Sequence, residues 1–299
     1  MGNASHLRIM NKAAFSAIGL ALLAAFGGDA ATATPAKPQR IVSLNLCTDQ
    51  ILLDLVPRER IAGLSELVAD RMLSGRADAA RGIPLVRGHA EEVMALAPDL
   101  VIAGALSTPA SVDLLRRVGV NVVTAPLAAS FAGIRDVIRI VAEAAGVREA
   151  GESMIARFDA RLAAVAAPNE PDPGVTPPSV VVYHLNSLAS GPGSLLDEIV
   201  RAAGFRNASL GMRLGPAGRL PLETLALEAP DMLVVATEPD AYRTITADNL
   251  RHPAFRTLLE SRRNVTLPMP LWMCGTPDVA EAVERLAAAS GASSGKGLR

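Results

Sequence analysis

The side chains able to do chemistry gather where the helical and strand patterns break. After the first apolar run come Asn45, Cys47, Thr48 and Asp49, followed by a stretch carrying Arg71, Arg76, Arg81 and Arg87, and later by Ser107 and Thr108. The second half offers Tyr183, His184, Asn186 and Ser187, then Arg213, Arg219, Tyr242 and Arg243, and last Trp272 and Cys274. Guanidinium groups suit bidentate capture of carboxylate or catecholate oxygens on a chelated metal, although scattered arginines equally suit a solvated surface. Trp272 follows Pro268 and Pro270, where packing in the core competes with stacking on a ligand.

The same inventory argues against catalysis. No G-x-S-x-G, P-loop or G-x-G-x-x-G pattern occurs, so no catalytic residue and no cofactor are expected. Gly191-Pro192-Gly193-Ser194 precedes a helix, but a proline there removes one backbone donor that a phosphate cradle needs. His89, His184 and His252 lie far apart, without the spacing of a bare-metal site. A lone axial side chain such as Tyr183 or His184 would suit haem. Three states are open to Cys47 and Cys274: free thiols near a ligand, a soft-metal pair, or a disulfide.

The elements that position these residues repeat a design. Glu91-Glu92-Val93-Met94-Ala95-Leu96-Ala97-Pro98-Asp99-Leu100-Val101-Ile102-Ala103 recurs as Glu223-Thr224-Leu225-Ala226-Leu227-Glu228-Ala229-Pro230-Asp231-Met232-Leu233-Val234-Val235. Each copy reads as a short amphipathic helix opened by Glu, stopped at the proline, and followed by a buried parallel strand. Strands and helices alternate from Arg40 to Val141, with Thr48 or Asp49 expected to cap the first helix and Ser65–Gly88 expected as a long polar loop or loop-helix segment. Met154, Ile155, Phe158, Leu162 and Val165 fall at helical spacing over Arg148–Ala166, and the prolines from Pro168 to Pro178 end regular structure. A second set of β-α units follows, in which Ser187–Gly193 reads as a Gly/Ser-rich loop.

The expected organisation is therefore α/β: two parallel-sheet lobes, residues 34–147 and 168–289, joined by one long helix over 148–167. In open α/β sheets ligands bind outside the carboxyl ends of the strands, so facing lobes share a cleft. Arg8 and Lys12 before the apolar Ala13–Phe26, with Ala31-Thr32-Ala33 behind it, predict a cleaved signal peptide over residues 1–33 and export to a periplasm. Residues 290–299 are expected to be a disordered tail. A formal charge of −1 over 299 residues implies no attraction to nucleic acid or anionic membrane, and a monomer is expected.

On Arg40-Ile41-Val42-Ser43-Leu44, Arg60-Ile61-Ala62-Gly63-Leu64, Ala95–Ala103 and the Gly191–Gly204 stretch, the chain resembles the substrate-binding proteins of ferric-siderophore and cobalamin ABC importers, the periplasmic class with a single helical hinge. The resemblance covers about residues 40–289. It implies a small-molecule metal chelate as ligand, an inner-membrane ABC permease as partner, and docking of one Glu from each lobe onto that permease. Those carboxylates match Glu91 and Glu223 here. An iron-siderophore type of chelate is the expected ligand, with cobalamin or another corrinoid, or haem, as the alternative. An extracytoplasmic enzyme on the same frame is the remote one. Two departures stand out: Asn45–Gln50 replaces a Ser-Pro segment common in the family, and aromatics make up only 3% of the chain, where cobalamin binders line the cleft with them.

Overall fold

A computed structural model describes residues 37–166, 174–212, 214–236 and 248–291, all within one compact unit that begins at Lys37. The expected signal peptide, the residues beyond 291, Arg213, Tyr242 and Arg243 lie outside the described residues. The first sheet contains β1 (Ile41–Ser43), β2 (Ile61–Ser65), β3 (Leu85–Val86), β4 (Leu100–Gly104) and β5 (Val122–Ala125), in the order β3-β2-β1-β4-β5 and wholly parallel. Every residue of β4 is buried, which explains its unbroken apolar run. Side chains alternate across a strand. Ile41, Leu100 and Ile102 accordingly pack with the residues of α1 (Leu46–Leu55) and α4 (Phe131–Ala144), while Val42 and Val101 pack with those of α2 (Ala90–Ala95) and α3 (Pro109–Arg117).

The second sheet departs from the all-parallel expectation. β6 (Ser179–Tyr183), β10 (Met232–Val235) and β11 (Arg263–Thr266) are parallel, and the short β8 (Arg206–Asn207) also pairs parallel to β6. β7 (Leu188–Ser190) turns back antiparallel to β6, and β9 (Ala217–Arg219) is antiparallel to β7. The Gly/Ser-rich stretch expected as loop is thus partly a strand. Val180, Val182, Met232 and Val234 face α6 (Leu195–Ala202) and α10 (Val279–Gly291). Val181, Tyr183, Leu233 and Val235 face α7 (Leu222–Glu228), α8 (Asp248–Arg251) and α9 (Pro253–Ser261). α10 also carries regular structure through Gly291, two residues into the expected tail.

α5 (Arg148–Ala166) packs on α4, α6 and α10. One continuous core runs through it, from Ile134, Ile138 and Val141 to Met154 and Phe158 and on to Val279, Val283 and Leu286. Arg161 adds a two-pronged pair with Glu284 at 2.8 Å. Moving one lobe against the other therefore means breaking packed core, not merely bending a strap.

The sequence repeat is a structural repeat. Ala97 and Ala229 both adopt φ 45°, in the left-handed region, instead of the extended geometry expected before proline. The aspartate two residues on anchors each joint to a strand. Asp99 accepts from the backbone N–H of Gln39 (2.6 Å) and Arg40 (2.9 Å) at the start of β1. Asp231 accepts from the backbone N–H (2.7 Å) and hydroxyl (2.6 Å) of Ser179 at the start of β6. The Ala-Pro-Asp signature thus ties the end of one helix to the first strand of its lobe.

Candidate functional site

The carboxyl ends of the two sheets face each other. Cys47, just after β1, is bonded to Cys274, just after β11, with their Cα atoms 5.1 Å apart. Of the three states open to the cysteines, the structure has the disulfide. Beside it Gly275 comes so close to Ala128 of the other lobe that a Cβ there would stand 2.3 Å from the alanine's own. Arg76 bridges the same seam: Nε and Nη2 donate to Asp54 at 2.8 Å, and Nη1 and Nη2 donate to Asp278 at 3.0 Å. These partners raise the Arg76 pKa further above its ordinary value against the opposing effect of burial, keeping it charged.

Several expected ligand contacts turn out to be internal. Asn45, not Thr48 or Asp49, caps α1, its Oδ1 accepting from the Cys47 N–H at 3.0 Å. Thr48 is buried and bonded to Ser43 at 2.8 Å. Asp49 is fully buried and accepts from both the hydroxyl and the N–H of Ser65, tying α1 to β2. Burial pushes its pKa up to about 7 despite those hydrogen bonds. Tyr183 is also fully buried, stacked on Phe255 with ring centroids 5.2 Å apart, because its place in the β6 alternation points it into the core. None of Thr48, Asp49 or Tyr183 can touch a ligand, and Cys47 and Cys274 are committed to each other.

The described arginines among the expected contacts have partners within the chain. Arg71 and Arg81 both pair with Asp78, and Arg87 pairs with Glu66. Arg219 donates to Asn186 Oδ1 at 3.2 Å.

What remains at the cleft is a polar, mostly uncharged rim. Asn45 covers Gly104, where an added Cβ would meet it at 2.4 Å, and Ser107 is bonded to the Gly104 N–H (3.0 Å) and the Leu44 carbonyl (3.3 Å). These two loops flank the point between β1 and β4 where the strand order reverses, the usual crevice of such sheets. Across the seam, His184 follows directly after β6. Its Nε2 lies 2.6 Å from the Ser190 hydroxyl, and its ring meets Trp272 edge-on with centroids 5.0 Å apart. Burial holds the imidazole pKa at about 4, so it is neutral at pH 7. Asn186 and Ser187, at φ 59° and 54°, form the next turn, held by Asn249. The Trp272 indole N–H is fastened to the carbonyls of Ala236 and Leu267, leaving the ring half-buried at the edge of the cleft. Among the described residues no cluster of three His, Cys, Asp or Glu could hold a bare metal ion.

Sequence reasoning missed Leu106 and Leu127, which are 80% and 61% exposed in the loops after β4 and β5, and Leu67, 49% exposed after β2. Their signal was available: large apolar residues placed directly after buried strands, where polar loop residues are usual. Glu91 and Glu223 are exposed, each in the first turn of its helix, and neither bonds to a described residue.

Residues 41–258 match the periplasmic binding protein family. The chain belongs to that family. Its members are solute-binding proteins rather than enzymes. A cobalamin-binding protein from Halobacterium salinarum strain R1 is 26% identical over 206 residues, which is 68% of this chain and 55% of that protein. The chain thus spans about half the length of the curated relatives it matches. Among solved structures, the periplasmic haem-binding protein BhuT in complex with two haems is 28% identical with a TM-score of 0.67, covering 84% of this chain and 98% of that one. The periplasmic vitamin B12 binding protein BtuF of Vibrio cholerae is 16% identical with a TM-score of 0.63, covering 85% and 96% respectively, a likeness of fold. Among the described residues no helix is long and apolar enough to cross a membrane.

Proposed function

We propose that this chain is the exported, monomeric solute-binding component of an ABC importer, capturing an intact metal chelate between its lobes and handing it to an inner-membrane permease. The observation that carries the reading is the pair of equivalent exposed carboxylates, Glu91 and Glu223, one per lobe, on a frame stapled at the base of the cleft. Two weak contacts held at fixed separation act as one bivalent contact, setting register and raising effective concentration. Export through a cleaved segment at residues 1–33 fits the disulfide, which persists in oxidising compartments. Ligand contact falls to the rim: Asn45, His184, Asn186 and Trp272, with Arg213, Tyr242 and Arg243 as further candidates.

Iron-siderophore, corrinoid and haem chelates all suit such a frame; the 26% identical cobalamin-binding relative supports a corrinoid ligand and the 28% identical haem-binding structure supports haem. The test is uptake by cells carrying Glu91→Ala, Glu223→Ala or both. Each exposed contact contributes little alone. Single variants should lower uptake modestly and the double variant strongly, with ligand affinity of the purified proteins unchanged. Normal uptake by the double variant removes the docking role.

A further inference from the structure

Each lobe leaves an apolar side chain in water beside its exposed glutamate. The helices α2 and α7 are the two copies of one repeat, and each is followed by an alanine at φ 45°. Val93 and Leu225, at the same place in each copy, are fully buried and fix which way the helix faces. The outer face then follows from spacing, because residues three and four apart lie together on a helix. On α2 it holds Glu91, Met94 and Ala95, and on α7 it holds Glu223, Ala226 and Leu227, all six exposed. A helical side chain leans back over the turn before it, so Met94 and Leu227 lie over the turn that carries the glutamate.

Leu227 is 85% exposed, more than any other large apolar residue among those described, and Met94 is 37% exposed. A single leucine in water needs no explanation. Its place does: one turn from a carboxylate that bonds to no described residue, in an arrangement repeated on the other lobe. Strong contacts are commonly ringed by groups that keep water out, and the attraction within a charge pair rises as water leaves. Glu228, exposed beside Leu227, adds a second negative charge and makes a cationic surface the complementary partner.

We infer that Leu227 is itself a docking residue: it enters an apolar recess next to the permease cation that Glu223 meets, and shields that pair from water. The inference rests on the importer reading above and adds to it an apolar contact and a ranking of the two lobes. Met94 does the same for Glu91 with much less surface left to cover. The two docking points are therefore unequal, and the C-lobe holds the permease more tightly.

Spheroplasts of cells lacking the gene, given purified chain at increasing concentration, test this. Uptake is followed with cyanocobalamin, haem and a ferric tris-catecholate, each radiolabelled in its metal, and the half-saturating concentration of chain reports docking. Glutamine matches leucine closely in helix propensity. Leu227→Gln should therefore keep chelate retention and thermal midpoint while raising the half-saturating concentration at least about tenfold, since nearly the whole side chain is there to be covered. Leu227→Met should dock like the wild type, and Met94→Gln should have a smaller effect than Leu227→Gln. Glu223→Ala combined with Leu227→Gln should shift docking by less than the product of the single effects, because no pair is left to shield. Unchanged docking by Leu227→Gln, docking by Leu227→Met as weak as that of Leu227→Gln, a larger effect of Met94→Gln, or a full product in the double variant overturns the inference and leaves the importer reading standing. A lowered midpoint in Leu227→Gln, or a wild-type dimer that this variant dissociates, also overturns it, by giving the leucine a cover other than the permease. If added chain supports uptake of none of the three chelates, the importer reading itself falls, and this inference with it.

Discussion

Replacing Cys47 and Cys274 together by alanine should cost the protein a substantial part of its stability while leaving both lobes folded. The bond joins residues 227 positions apart. Closing a loop of that length in the unfolded chain corresponds to about 5 kcal/mol in the chain-entropy expression, and disulfides typically deliver about 2–4 kcal/mol. The native side of the balance changes little, because the lobes also share the core through α5 and the Arg76 bridge to Asp278. Alanine avoids placing a hydroxyl at the buried Cys274 position. At about 2–4 °C per kcal/mol for a protein of this size, the thermal midpoint should fall by roughly 5–15 °C. Urea unfolding of the oxidised protein, the reduced protein and the double variant should show the last two coinciding, both at a lower midpoint. Two free thiols titrating in the unfolded, unreduced protein, or midpoints that coincide for all three, would exclude a stabilising bond between Cys47 and Cys274.

The buried carboxyl of Asp49 makes a second, pH-dependent prediction. Its folded pKa near 7 lies above the ordinary value of 3.8, so its contribution is fully present below about pH 4 and is lost as pH rises towards 7. Asp49→Asn should match the wild type near pH 4 and exceed its stability at pH 8 by about 2–4 kcal/mol, read from urea midpoints; a variant less stable at pH 8 would contradict this. His184 works in the opposite sense: with a folded pKa near 4 against 6.5, the stability it contributes is full above about pH 6.5 and falls as pH drops towards 4. His184→Gln should flatten that acid limb, and an unchanged slope between pH 6.5 and 4 would count against a buried neutral ring. Arg76→Leu leaves Asp54 and Asp278 without their shared partner and should destabilise by about 1–3 kcal/mol in urea unfolding. Because packed core, disulfide and Arg76 all cross the seam, solution scattering with and without ligand should give nearly the same radius of gyration; a marked contraction would show that the seam opens.

Much of the frame was legible in the sequence. The apolar spacing of Met154, Ile155, Phe158 and Val165 marks α5, and the two Ala-Pro-Asp copies mark equivalent helix-to-strand joints, because these signals are local. What was not legible depends on partners distant in the chain. Arg76 looked like a ligand-seeking cation, yet its partners are Asp54 and Asp278, brought together only by folding. Asp49 looked like a helix cap exposed at a strand end, but Ser65 on the neighbouring strand draws it inside. Tyr183 was placed at the cleft because it ends a strand, whereas its alternation with Val182 turns it towards Phe255. β7 and β9 are three residues each, too short to show a period, so the antiparallel edge of the second sheet could not be read.

On the importer reading, the chain binds one intact metal chelate between its lobes. The most direct measurement is gel filtration of the purified chain after incubation with each candidate chelate, followed by quantification of metal and chelator in the protein peak. Co-elution of metal and unaltered chelator at one-to-one stoichiometry, with quenching of the fluorescence of Trp272, the single tryptophan, is the predicted result. Metal retained without its chelator, or a chelator recovered chemically changed, would contradict it.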